Sequence, residues 1–259
     1  MEQEIKNFKI KTAYNRINLH QQGGRLELRS HDNALQSVID LNCPQKLGLK
    51  NLEHLMSVLL FIPEPKSVLM LGTAAGSLLH FLPHYYPRTD ITAVDIDVEL
   101  VEKMLRMEVL PAAGDGLTYV YGDAARFILS CDQSYDLILA DVFTGAQTPG
   151  WLLDKKYTDA LYRRLGEHGA LAYNLLIESE HDFKLFYREL RLVFNRQTLC
   201  MPVKDYENLI AFGIRHPLPA RYMAWYMQHA MALSEQLEID FLKILAVIYN
   251  TNPVGAGVL

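Results

Sequence analysis

Three acids and one loop of small residues carry the chemistry legible in this chain. Gly72-Thr73-Ala74-Ala75-Gly76-Ser77 keeps side chains small where backbone must approach a ligand closely. Asp95 stands 19 positions beyond Gly76 (95 − 76), where a carboxylate can accept the hydroxyl hydrogens of a ribose. Asp123, in Gly122-Asp123-Ala124, can accept from an adenine amino group. Asp141 follows the apolar run 137–140, too far from the next expected helix, near Asp154, to be explained as its cap. Asp95 and Asp123 taken singly could each cap a helix. Three acids and a small-residue loop at successive strand ends share no such explanation, and together they point to an adenosyl ligand.

Other chemistries lack their residues. The loop has no Lys-Ser/Thr, so phosphate transfer is disfavoured, and it lacks the third glycine of a dinucleotide fingerprint. There is no H-E-x-x-H and no G-x-S-x-G. Cys43, Cys131 and Cys200 are isolated, so neither a metal site nor a disulfide framework is expected. The 25 basic and 30 acidic side chains leave a charge of -5, which gives no basis for a nucleic-acid partner. The N-terminus lacks the pattern of a signal peptide, and the strongest apolar run, 55–62, is far short of the ~20 residues that span a bilayer. A soluble, cytoplasmic protein without a membrane partner is expected.

These residues need a sheet to hold them. Apolar runs at 67–71, 91–94, 117–120, 135–140 and 170–173 read as strands. Helical stretches at 77–85, 98–110, 124–129 and 155–165 lie between them. Strand–helix alternation at this spacing argues a parallel, doubly wound α/β sheet, whose ligands sit at the carboxyl ends of the strands. A helix at 182–193 then precedes a hairpin of 196–202 and 208–214. Upstream, 16–20 and 25–29 alternate polar and apolar residues around Gln21-Gln22-Gly23-Gly24, a second hairpin signal. A strand at 35–40 and a helix at 49–60 follow. In the tail, Ser234 can cap a helix running to about 249. Before it, Met223, Met227 and Met231 recur every four residues, the mark of a helix packed on the sheet domain. Half of the residues are hydrophobic, enough for such a core.

From about 14 to 214 the chain resembles the spermidine synthase-like, or polyamine aminopropyltransferase, proteins within the S-adenosylmethionine-dependent transferase fold. The resemblance rests on Asp32-Asn33-Ala34-Leu35-Gln36, on Pro63-Glu64-Pro65-Lys66-Ser67-Val68-Leu69-Met70-Leu71-Gly72, on Val94-Asp95-Ile96-Asp97, on Gly122-Asp123-Ala124 and on Tyr135-Asp136-Leu137-Ile138-Leu139-Ala140-Asp141. Three regions are expected: N-terminal β-strands with a linking helix over 1–62, a Rossmann-like catalytic domain over 63–216, and, past a boundary marked by Pro217 and Pro219, a helical extension over 217–259. Gln36 matches a glutamine near the cofactor's aminopropyl arm. Gly72, Thr73, Ala74 and Gly76 match the nucleoside loop, Asp95 with Ile96 the ribose site, and Asp123 with Ala124 the adenine site. Pro149 and Leu152 fall where the family packs a loop over the adenine. Asp141 matches the catalytic acid that orients and deprotonates the attacking amine. The resemblance further implies a homodimer through the N-terminal region.

The departures fall around the acceptor. The family's loop acid, which engages the cofactor's amine, is Ala75 here. Its second acid, which holds the polyamine, is Thr144. Its acidic segment before the first sheet strand reads Asn51-Leu52, and its Tyr-Pro-x-Gly segment reads 204–207 Lys-Asp-Tyr-Glu. Three functions follow: aminopropyl transfer from decarboxylated S-adenosylmethionine to a small amine, methyl transfer from S-adenosylmethionine itself, or nucleoside binding without catalysis. The first is favoured by the extent of the resemblance.

Overall fold

The computed structural model describes residues 5–145, 147–218 and 222–252. The chain opens with an antiparallel meander of β1 (Ile5–Lys11), β2 (Arg16–Gln22), β3 (Arg25–Ser30) and β4 (Leu35–Asp40), ordered as in the sequence. Ile17, Leu19, Leu26 and Leu28 alternate inward, as the period-two pattern requires. The β2–β3 hairpin turns on Gly23-Gly24 alone, with Gly23 at φ 57°, while Gln21 and Gln22 stay in the strand. The single helix expected over 49–60 is α1 (Lys50–Leu55) followed by a 3₁₀ segment, Met56–Leu60. All five residues of that segment are buried, so packing on every side, rather than one apolar face, sets its geometry.

The second sheet is built from β5 (Ser67–Leu71), α2 (Ser77–Tyr85), β6 (Asp90–Asp95), α3 (Val98–Arg106), β7 (Leu117–Tyr121), α4 (Ala124–Ser130) and β8 (Tyr135–Ala140). It continues through α5 (Gly150–Leu153), α6 (Lys155–Arg163), β9 (Leu165–Leu175), α7 (Glu180–Val193), β10 (Thr198–Pro202) and β11 (Leu209–Ile214). Its order is β10-β11-β9-β8-β5-β6-β7. Strands β5 to β9 pair in parallel, and the β10–β11 hairpin adds antiparallel to β9, so the sheet is mixed. The chain leaves β5 toward β6 and β7, then returns to lay β8 on β5's other side. That reversal opens a crevice at the strands' carboxyl ends.

Strand β5 shows how the sheet is held. Val68 and Met70 enter one core, shared with the N-terminal meander and the tail; Leu69 and Leu71 enter the other, under α4, α6 and α7. Helix α3 stops at Arg106, short of the expected 110. Glu108, at φ 56°, turns the chain so that Val109 and Leu110 are buried. The tail also differs from expectation. It forms α8 (Met223–Leu237) and α9 (Phe241–Thr251), broken at Glu238, which is at φ 57°. Ser234 lies inside α8, its Oγ accepting the Phe241 N–H at 2.9 Å, and Asp240 is the residue that caps α9. Tyr226, Ala230, Leu233 and Leu237 make the packed face of α8, while Met227 and Met231 face outward at 49% and 57% exposure. Of the methionine stripe only Met223 packs against the core, so the stripe as a whole is not the packing face. Pro219, near the start of this tail, and Pro253, just after α9, lie outside the described residues. No helix among the described residues is long and apolar enough to cross a membrane.

Candidate active site

A cavity of about 310 Å³ lies at the carboxyl ends of the central strands, with the N-terminal meander as its outer wall. Asp95, Asp123 and Asp141 all line it, brought together from the ends of β6, β7 and β8. Gly72, Thr73, Ala74, Ile96 and Ala124 line it beside them, and Gln36 reaches it from β4. Gly76, Pro149 and Leu152 do not. Gly76 is at φ 82°, and a Cβ there would collide with Leu110. Pro149 precedes α5, and Leu152 is fully buried in the core under α4 and α6. Gly72 likewise has an internal reason to be glycine: at φ 83°, a Cβ would run into the Asp141 carbonyl. The loop's smallness thus serves the close approach of β5 and β8 as well as the cavity. Ala75, where the resembled family has an acid, is 1% exposed and does not reach the cavity wall.

Asp95 is partly committed. Its Oδ2 accepts the Thr73 N–H at 2.9 Å and the Thr73 hydroxyl at 2.7 Å, and its Oδ1 accepts the Asp97 N–H at 2.9 Å. A carboxylate offers about four acceptor positions, so roughly one remains open to an incoming hydroxyl. Asp123 caps α4 by accepting the Ala125 N–H at 2.8 Å, while its other oxygen lies 4.0 Å from Arg126. It is both a helix cap and a cavity residue.

Asp141 differs from both. Burial of its carboxyl pushes the pKa up to about 6, partly opposed by the hydrogen bond from Asn174 Nδ2 to Oδ1 at 2.8 Å. Asn174, on β9, is itself fully buried, and its Oδ1 accepts from Asn208 Nδ2 at 2.8 Å. The order of this relay is fixed by charge. An ionised carboxylate only accepts, so Asn174 must present its amide hydrogens to Asp141 and its oxygen to Asn208. Asn208 lines the cavity just before β11, and its own oxygen has no bond among the described residues. Sequence reasoning missed both amides. One signal was available: Asn174 interrupts the apolar run 170–175, where an unsatisfied polar side chain would be costly.

Asp97 was quoted in a motif but given no task. It is 1% exposed, caps α3 by accepting the Leu100 N–H at 3.1 Å, and accepts from Thr12 Oγ1 and Asn15 Nδ2, both at 2.6 Å. It is the bolt between the meander and the sheet domain. Ser37 Oγ and Ser77 Oγ, 3.2 Å apart, make a second link. Electrostatically the cavity has one sign: the three carboxylates line it, and no Lys, Arg or His among the described residues does. No group of three His, Cys, Asp or Glu among those residues could hold a metal ion.

The chain is similar to known proteins in sequence and in fold. The Spermine/spermidine synthase domain matches residues 51–214. A polyamine aminopropyltransferase of Chromobacterium violaceum is 25% identical over 241 residues, spanning 93% of this chain and 92% of that protein. Among solved structures, a probable spermidine synthase from Corynebacterium glutamicum superposes with a TM-score of 0.75 at 19% identity, covering 97% of both chains. A spermidine synthase in complex with the transition-state analogue AdoDATO superposes with a TM-score of 0.62 at 16% identity, covering 89% of this chain and 87% of that one.

Proposed function

Because this chain belongs to the Spermine/spermidine synthase domain family, we propose that it is an aminopropyltransferase using decarboxylated S-adenosylmethionine. The nucleoside would lie across the ends of β5, β6 and β7, its ribose against Asp95 and its adenine toward Asp123. The aminopropyl arm would pass Gln36, and the acceptor amine would sit at Asp141. One observation carries the choice of cofactor: three carboxylates line the cavity, and no cationic side chain among the described residues lines it. The decarboxylated cofactor brings a sulfonium and an ammonium and no anion, which suits such a wall. Intact S-adenosylmethionine brings a carboxylate that would be desolvated there without a cation.

The chemistry needs little beyond placement. The amine's lone pair attacks the methylene next to the sulfonium, and the carbon–sulfur bond breaks with its electron pair going to sulfur. Methylthioadenosine leaves as a neutral thioether. The new secondary ammonium passes its extra proton to Asp141, and from there to water. Above pH ~6 Asp141 is ionised, and its raised pKa makes it a stronger proton acceptor than an ordinary carboxylate. The relay from Asn208 through Asn174 holds the carboxylate in place, so its contribution is positioning as much as proton transfer.

The test is product identity. Incubation with the decarboxylated cofactor and a mixture of primary amines is expected to release methylthioadenosine in step with an aminopropylated amine, both read by mass spectrometry. Release of S-adenosylhomocysteine from intact S-adenosylmethionine, with no methylthioadenosine from the decarboxylated form, would overturn the proposal.

A further inference from the structure

The acceptor side of the cavity has a composition of its own. Across the ends of β8, β9 and β11 it carries one charged group among the described residues, Asp141. Asp95 and Asp123 belong to the other side, at β6 and β7. Two uncharged acceptors belong to residues that line the same cavity. One is the free oxygen of Asn208. The other is Asn51 Oδ1, buried and without a hydrogen-bond partner, on a residue that lines the cavity. Helix α1, which carries Asn51, packs against β9 and β11, so it adjoins the strands bearing the relay. An orphaned buried acceptor calls for a donor. The rest of this wall is apolar or neutral: Leu52, Phe143, Trp151, Tyr206 and Thr144. The acids on the nearby rim, Asp205 and Glu207, do not line the cavity, and Asp205 is engaged by Lys50 at 3.4 Å.

Resting on the proposed aminopropyl transfer, we infer that the acceptor is a primary monoamine with an uncharged, largely apolar tail. A primary ammonium has three N–H donors and one charge, and it gives one proton to Asp141, and through it to water, before its lone pair attacks. Asp141 supplies the countercharge, and the Asn208 and Asn51 oxygens supply the two further acceptors. The tail would lie against Leu52, Phe143 and Trp151. A diamine of the same length would place its second ammonium against these apolar and neutral groups without a carboxylate to match it, which disfavours it. Deprotonating that end to avoid the cost draws on the same binding energy, because free alkylamines are protonated at neutral pH.

Calorimetry on the protein saturated with methylthioadenosine tests this, with butylamine and 1,4-diaminobutane as probes of equal length. Butylamine is expected to bind at least about tenfold more tightly, a difference of ~1.4 kcal/mol. Thr144→Asp, which adds a carboxylate to this wall, is expected to bring the diamine to parity or better. Equal or tighter binding of the diamine to the unaltered protein would overturn the inference, as would binding of neither amine. A Thr144→Asp protein that folds but leaves the order unchanged would also count against it. Turnover separates this failure from that of the proposed function. If butylamine binds but no methylthioadenosine is ever released, aminopropyl transfer fails and the monoamine site stands. If methylthioadenosine is released with the diamine alone, transfer stands and the monoamine site fails.

Discussion

At the scale of single residues, the account turns on a buried acid among amides. Asp141 has its pKa raised from 3.8 to about 6 by burial. The folded protein therefore binds a proton there that the unfolded chain releases between about pH 4 and pH 6, and stability falls as pH rises through that window. Asp141→Asn removes this loss. At pH 8 the variant is expected to be at least as stable as the parent, by up to ~2 kcal/mol, with the two converging below about pH 4. Urea unfolding at both pH values checks this. Turnover of the same variant is expected to drop roughly 10²–10⁴-fold with nucleoside affinity kept, while the parent's turnover rises with pH through about 6. Joint loss of stability and nucleoside binding would instead mark Asp141 as a structural residue. Asp95→Ala removes an acceptor charge that already serves Thr73 and Asp97. At about 1.5–3 kcal/mol for a bond to a charged group, methylthioadenosine affinity should fall at least tenfold by calorimetry. The three acids were legible in the sequence because strand-end carboxylates stand out beside apolar runs. Asn208 was not, because an amide acquires its meaning from a partner far along the chain; Asn174 left only its break in an apolar run, and Asn51 only its place where an acid is missing.

At the scale of elements, the sequence located those whose local pattern decides them. Strands β5 and β8 and helix α2 lie where the apolar runs and their boundaries placed them, at Ser67–Leu71, Tyr135–Ala140 and Ser77–Tyr85. The breaks were hidden. The 3₁₀ segment after α1 and the turn at Glu238 sit within continuous apolar or helix-forming sequence, where no proline or glycine marks a stop. The docking of the meander was equally hidden, since Thr12 and Asn15 reach Asp97 across 85 and 82 positions. This joint carries its own prediction. Asp97→Ala loses the α3 cap and both bonds to the meander, and should cost ~2–4 kcal/mol in urea unfolding. It should also weaken nucleoside binding, because Asn15, Gln36 and Ser37 wall the cavity from the meander side. Unchanged stability would show that the meander is held by its apolar face alone.

At the scale of the whole molecule, the chain carries a net charge of -5, and its cleft, lined by three carboxylates and by no cation among the described residues, has a single sign. The meander has β1 and β4 as its outer strands, each paired on one side within the chain. Unpaired edges are usually covered, and a homodimer through this sheet is the expected assembly. Sedimentation at micromolar concentration should give twice the chain mass, and a monomer would contradict it. The central claim, however, concerns the ligand. It is tested most directly by calorimetric titration of the unaltered protein with decarboxylated S-adenosylmethionine, intact S-adenosylmethionine and methylthioadenosine. The decarboxylated form is expected to bind most tightly, exceeding the intact cofactor by at least about tenfold, because only the latter buries an unmatched carboxylate. Tighter binding of intact S-adenosylmethionine, or no binding of any of the three, would contradict the account.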